Sequence, residues 1–251
     1  MVSEKFKIFI VNLKKDKKRR EHIISELKKQ KLYNYEIIDA INGHEFDEKE
    51  IKKNTFKNKK NLNPWNTKMS PSQIGCALSH IKIYKKFIKT DYDFALVLED
   101  DAIFIEKFNK NLIDFIIDNF KYRKQIILLS EIKEFYSKPI NKIEKYELVD
   151  VTNAFFTHSY FISKSAAQSI ISFNYPVKTI ADNFVLFKLY CGIKINGINP
   201  FIVDQDKKNH PTTILKEKNK FKKIFLFKRA LYKLKIKVIK CFIKFKSHIR
   251  K

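Results

Sequence analysis

Phe94, Ala95, Leu96, Val97 and Leu98 run directly into three acids, Glu99, Asp100 and Asp101. No other stretch constrains the fold as strongly. The apolar run is short and does not alternate with polar residues, which predicts a strand buried on both faces. The acids then fall at its C-terminal end, where open α/β sheets bind their ligands. Adjacent carboxylates repel one another unless a positive charge sits among them. Oxygen ligands suit Mg²⁺ or Mn²⁺, with a substrate phosphate completing the shell. Alternation along an extended strand puts Glu99 and Asp101 on one side and Asp100 on the other. Glu99 and Asp101 are therefore a candidate metal clamp. The competing reading is a solvated strand end, because acids sit freely in exposed loops.

The flanking sequence supports the sheet. Residues 6–13 are strand-like, 16–29 helical with a stripe of Ile23, Ile24 and Leu27, and 35–38 a second strand before a turn at Asn42 and Gly43. Strand, helix, strand at this spacing opens a parallel sheet. The basic run 14–20 follows the first strand's C-terminal end, as a phosphate site or as a solvated first turn. Residues 45–68, rich in Asn and Lys and holding Trp65, read as a long surface loop. A helix then starts at Ser70, with Pro71 at its first position and Gln73 completing a capping box. Gly75 and Ser79, four apart, let it approach a neighbour closely. His80 on this helix is either a satisfied buried histidine or a ligand contact. Later residues predict a helix at 108–120, a strand at 125–130, a hairpin over 136–151 turning near Pro139 and Asn141, and a strand over 153–163 containing His158. A helix at 165–173 and a strand within 193–203 complete the series.

Composition sets outer limits. The chain has 251 residues with 44% hydrophobic content, enough for one large α/β domain or for one domain with an appendage. Its net charge of +25 favours a polyanionic neighbour, whether nucleic acid, an anionic membrane or phosphorylated ligands. Cys76, Cys191 and Cys241 are odd in number and far apart, with no CxxC or Cys/His metal spacing, so the reading expects a reduced, cytoplasmic setting. No apolar run reaches about 18 residues, and the N-terminus does not read as a signal peptide.

The segment from Ser70 to His80 (SPSQIGCALSH), followed by Ala95 to Asp101 (ALVLEDD), resembles the hallmark of glycosyltransferase family 25. These are bacterial lipooligosaccharide glycosyltransferases, related to the collagen galactosyltransferases. The opening Ile10 to Leu13 with Arg19 and Arg20, the segment Tyr35 to Gly43, Thr157 to Ser163, and Ile180 to Phe184 resemble further family segments, so the likeness covers roughly residues 6–214. Two positions depart from the pattern. Gln73 stands where the family usually has a glutamate, which makes that position capping rather than catalytic, and Lys18 stands where it usually has an acid.

The resemblance implies an α/β, GT-A-type nucleotide-sugar-binding fold with a mostly parallel sheet. It implies a nucleotide-sugar donor, typically UDP-galactose or UDP-glucose, and Mn²⁺ or Mg²⁺. It points to Asn12, Arg19, Ser79, His80 and His158 as candidate donor-site residues, Glu99 and Asp101 as metal ligands, and Asp100 beside them as a catalytic residue. GT-A enzymes often add a late ligand, so His210 is a third metal candidate. Inverting transfer needs a carboxylate base away from the diphosphate. Asp182 is the candidate, unless it only offsets a helix dipole.

Residues 216–251 differ from the rest. They hold fifteen Lys or Arg and one acid, Glu217, which is more than half of the chain's net charge. Ile224, Phe227, Leu231, Leu234, Val238 and Phe242 recur at helical steps. This predicts a basic amphipathic helix lying on an anionic membrane, or else packing on the domain or on another copy. The division expected is 1–215 for catalysis and 216–251 for the membrane. The enzyme would sit on the inner face of the cytoplasmic membrane, use a lipid-linked saccharide acceptor and bind no nucleic acid. A nucleic-acid-binding protein and a metal-dependent phosphotransferase are the alternatives. The first lacks any helix-turn-helix, zinc or RNP-type motif, and the second would not consume a nucleotide-sugar.

Overall fold

The computed structural model describes residues 5–56 and 69–206. His210, Trp65 and the basic segment 216–251 lie outside the described residues. The chain opens with strand β1 (Phe6–Asn12), helix α1 (Lys17–Lys29) and strand β2 (Tyr35–Asp39). A 3-10 turn at Gly43–Glu45 leads to α2 (Glu48–Asn54), then α3 (Pro71–Phe87) and β3 (Phe94–Glu99). Next come β4 (Ala102–Phe104), α4 (Lys110–Asp118), β5 (Gln125–Leu128), β6 (Glu134–Phe135), β7 (Asn141–Ile143), β8 (Tyr146–Asn153) and β9 (Ser159–Ser163). Helices α5 (Lys164–Asn174) and α6 (Phe184–Cys191) precede β10 (Lys194–Asn199) and β11 (Val203–Gln205).

The main sheet runs β2-β1-β3-β9-β5-β10-β8-β6, with β7 on β8. Strands β2, β1, β3, β5 and β10 point the same way, and β9 is inserted antiparallel between β3 and β5. The chain moves from β1 outward to β2 and then returns to the other side of β1 for β3. The strand order therefore reverses between β1 and β3, and the crevice at their C-terminal ends is the topological switch point.

Both faces of the sheet are covered, which explains the unbroken apolar run in β3. Leu96 and Leu98 pack with Ile8 and Ile10 against Ile23 and Leu27 of α1 and Leu112 and Ile116 of α4. Ala95 and Val97 face the other way, with Phe9, onto Ile83, Tyr84 and Phe87 of α3, Ala166 of α5 and Phe187 of α6. Side chains alternating across a strand that lies between two helical layers must all be apolar.

Helix α3 starts as its sequence requires. Ser70 Oγ accepts from Gln73 N at 3.2 Å and Gln73 Oε1 accepts from Ser70 N at 2.9 Å. Gly75 lies against the chain after β2: a Cβ there would come 2.6 Å from Gly43 N and 2.7 Å from Ile41 O.

Three local expectations are corrected. Residues 48–54 form α2 instead of loop, started by a capping box in which Asp47 Oδ1 accepts from Glu50 N at 2.7 Å. Only Ile51 is apolar in that helix, so no hydrophobic period marks it. The hairpin joins β7 to β8 through Glu144, which takes a left-handed φ of 50°, and not at Pro139 or Asn141. His158 lies just outside β9, because residues 154–158 are irregular.

Candidate active site

The switch-point crevice collects side chains from six places. Asn12 ends β1, Arg19 lies in the first turns of α1, and Cys76 and His80 lie on α3. Glu99 ends β3, where Asp100 and Asp101 form the following turn. Thr157 and Asp182 come from loops.

Strand β3 stops at Glu99, so the two aspartates do not continue its alternation. This corrects the paired placement of Glu99 with Asp101. Asp100 and Asp101 instead meet one guanidinium: Arg19 Nε lies 2.8 Å from Asp100 Oδ1, and the same side chain bonds Asp101 Oδ2. Asn12 Nδ2 donates to Asp100 Oδ2 at 2.8 Å. Glu99 faces elsewhere. It accepts from the Thr157 hydroxyl and lies 3.5 Å from His80 Nε2. The carboxylates still sense one another. Burial, then the charge of Glu99, pushes Asp101 up to about 7 despite Arg19. Burial pushes Asp100 up to about 6 against Arg19 and Asn12. Burial also works to raise Glu99, but His80 and Thr157 outweigh it and hold that carboxyl below its usual range.

The chemistry of the aspartate turn suits a hard cation. Asp101 Oδ1 and Asn12 Oδ1 are buried without a hydrogen-bond partner among the described residues. Both are hard oxygen donors of the kind that Mg²⁺ and Mn²⁺ take. Asp206 N donates to the Asp101 carbonyl at 2.9 Å, so the strand pair β4 and β11 returns the late chain to the acid turn.

Asp182 reaches the same region. Its Oδ2 accepts from Phe156 N at 3.2 Å, and burial raises its pKa with the Glu99 charge adding to the effect. Phe156 has a left-handed φ of 82°, a conformation that costs a non-glycine residue on the order of 1–3 kcal/mol. That cost falls in the loop that carries both the Asp182 donor and Thr157.

Two of the expected donor contacts, Ser79 and His158, are tied into the fold by their own hydrogen bonds. Ser79 is buried, its hydroxyl accepting from Ile41 N at 2.8 Å and donating to Gly75 O at 2.7 Å, so it ties α3 to the chain after β2. His158 is buried and its Nε2 meets the Val203 carbonyl at 3.2 Å, bracing β11. Asn12 and Arg19 do reach the crevice, where they hold Asp100 and Asp101. Cys76 and Thr157 were not anticipated. The signal for Cys76 was its four-residue spacing from His80, which puts both side chains on one helix face. This corrects the reading that no Cys/His metal spacing exists. Thr157 opens one of the family-like segments, but its contact with Glu99, distant in sequence, had no local signal.

A carboxylate-rich turn clamped by arginine thus sits at the switch point of a largely parallel sheet, the place where open α/β sheets bind their ligands. The model of glycosyltransferase family 25 (LPS biosynthesis protein) matches residues 5–185, and the chain belongs to that family. It is 26% identical to human procollagen galactosyltransferase 2 over 172 residues, covering 66% of this chain and 27% of that protein. It therefore spans about a quarter of that relative's length. A Haemophilus influenzae protein provisionally described as a glycosyltransferase is 27% identical over 209 residues, covering 81% of this chain and 71% of that one. Among solved structures, a Drosophila β1,4-galactosyltransferase 7 with manganese, UDP-Gal and xylobiose aligns with a TM-score of 0.38 at 10% identity, over 88% of this chain and 79% of that one.

Proposed function

We propose that this glycosyltransferase moves a hexose, galactose from UDP-galactose being the first expectation, onto a lipid-linked saccharide such as lipooligosaccharide. Transfer inverts the anomeric carbon and depends on a divalent cation. The observation that carries the reading is the aspartate turn at the switch point, where the buried Asp101 Oδ1 is left without a partner. The galactosyltransferase relatives support the choice of sugar, and the family's description as LPS biosynthesis proteins supports the choice of acceptor.

Asp101 and Asn12 would supply oxygens to Mn²⁺ or Mg²⁺, with the charge of Asp100 alongside, and the ion would offset charge developing on the leaving diphosphate. Arg19 adds a fixed positive charge at the same edge and orients both carboxylates. Asp182 accepts the proton of the acceptor hydroxyl as that oxygen attacks the anomeric carbon and the bond to the diphosphate breaks. Burial suits Asp182 to this role, because a raised pKa makes a carboxylate a stronger base. The enzyme works at the inner face of the cytoplasmic membrane, where residues 216–251 supply the attachment.

The test is a panel of nucleotide-sugars incubated with the full chain and Mn²⁺, followed by detection of the released nucleotide and the glycosylated acceptor. Turnover of UDP-galactose, lost on chelation, is expected. If no nucleotide-sugar is consumed with any saccharide acceptor while ATP is, the chain is a phosphotransferase.

A further inference from the structure

Cys76 and His80 project from one face of α3 towards Glu99 at the end of β3. One ligand atom from each, the Cys76 Sγ, a ring nitrogen of His80 and a carboxylate oxygen of Glu99, lies within 4.8 Å of the other two. The 3.5 Å between His80 Nε2 and Glu99 Oε1 is close to the edge between two ligands each about 2.0–2.2 Å from a tetrahedral ion.

His80 is 1% exposed, and its Nε2 has no hydrogen-bond partner among the described residues. Its other nitrogen is anchored, with Nδ1 lying 2.8 Å from the Tyr160 hydroxyl, which in turn bonds the Tyr84 hydroxyl. Metal-binding histidines are held in this way, with one nitrogen fixed by a neighbour and the other aimed at the ion. Glu99 is held by the Thr157 hydroxyl, which donates to the same Oε1 that faces His80.

We propose that Cys76, His80 and Glu99 form a binding site for a borderline-soft divalent cation of the Zn²⁺ or Co²⁺ class, with the fourth position open. Ligand chemistry decides the class. Thiolate, imidazole and carboxylate together select such ions, whereas the aspartate turn, with oxygen ligands alone, selects Mn²⁺ or Mg²⁺. The crevice thus holds two neighbouring sites of different hardness. On binding, the Cys76 thiol releases its proton to solvent and the thiolate bonds the ion. The site stands on geometry and does not depend on the glycosyl-transfer reading.

Metal-stripped full-length protein is titrated with Co²⁺ alone. The expected result is one sulfur-bound ion per chain, read from a sulfur-to-cobalt charge-transfer absorption in the near ultraviolet; any ion taken by the aspartate turn adds no such band. The band disappears in Cys76→Ser and persists in Asp101→Asn, which separates this site from the donor metal. Tyr160→Phe keeps the band but weakens affinity about 10- to 100-fold, as loss of a histidine's anchoring partner does. Absence of the band in protein with intact circular dichroism overturns the proposal. So does a band that survives in Cys76→Ser, which would place the ion on Cys191 or Cys241. Should Cys76→Ser fail to fold, alkylation of the wild type followed by peptide mapping decides. Zn²⁺ must protect Cys76, and equal labelling with and without Zn²⁺ refutes the site. Sugar transfer with Mn²⁺ is assayed in parallel, so failure of transfer with cobalt binding intact counts against the proposed function only.

Discussion

Asp101 carries a conflict that metal-free protein must tolerate. Its folded pKa of about 7 stands above the unfolded value of about 3.9, so the folded state holds its proton more tightly. Folding stability contributed by this group is therefore greatest below about pH 4 and falls as the pH rises towards 7. Asp101→Asn removes the loss. In chelator at pH 8 the variant should melt higher than wild type, by about 2–4 °C for each kcal/mol recovered, and the difference should vanish near pH 4. A lower melting temperature at pH 8 would mean that the ion pair with Arg19 outweighs the crowding of carboxylates. The same variant should lose Mn²⁺-dependent transfer. Asp182 makes the contrasting case. Asp182→Asn should lower turnover by a factor on the order of 10² to 10⁴ with donor affinity kept, since its contact is with Phe156 N and not with the aspartate turn. Collapse of donor affinity, measured by calorimetry, would move Asp182 into the donor site.

At the scale of elements, the close approach of α3 to the chain after β2 positions Cys76 and His80. Gly75→Ala would drive a Cβ to 2.6 Å from Gly43 N, a backbone atom that cannot swing aside. Overpacking of this kind costs about 1–3 kcal/mol, so the urea midpoint should fall while Ser70→Thr, which preserves the cap, leaves it nearly unchanged. An unaltered midpoint in Gly75→Ala would show that the two backbones separate freely.

This contact was legible in the sequence because Gly75 and Ser79 are small at helical spacing, and the cap because Ser70 and Gln73 are three apart. Helix α2 was not, since its one apolar residue gives no period and its signal lay in Asp47 and Glu50. The strand end was legible as a site, but its geometry was not. The alternation rule applies only while the chain stays extended, and β3 ends at Glu99. Ser79 and His158 matched the expected segments, yet their hydrogen bonds to Ile41 and Val203 arise from tertiary packing that no local pattern records.

For the whole molecule, charge is distributed unevenly along the chain. The fifteen Lys and Arg against one acid in residues 216–251 lie beyond the described sheet. No helix among the described residues is long and apolar enough to cross a membrane. In the proposed function, attachment is the task of that basic segment. Two physical contributions should act together there. Burial of Phe227, Leu231, Leu234 and Phe242 supplies affinity that persists in salt. Each lysine near an anionic leaflet adds about 1 kcal/mol, screened beyond about 8 Å at physiological ionic strength. A chain ending at Leu215 should stay folded, use a short soluble acceptor, and lose both binding to anionic vesicles and activity on acceptor embedded in them. The full chain should leave neutral vesicles more readily than anionic ones in a flotation assay, and raised salt should weaken its binding without abolishing it. Equal vesicle binding by the shortened chain would assign the membrane contact to the catalytic domain. Unfolding of the shortened chain would assign the apolar stripe to packing against that domain.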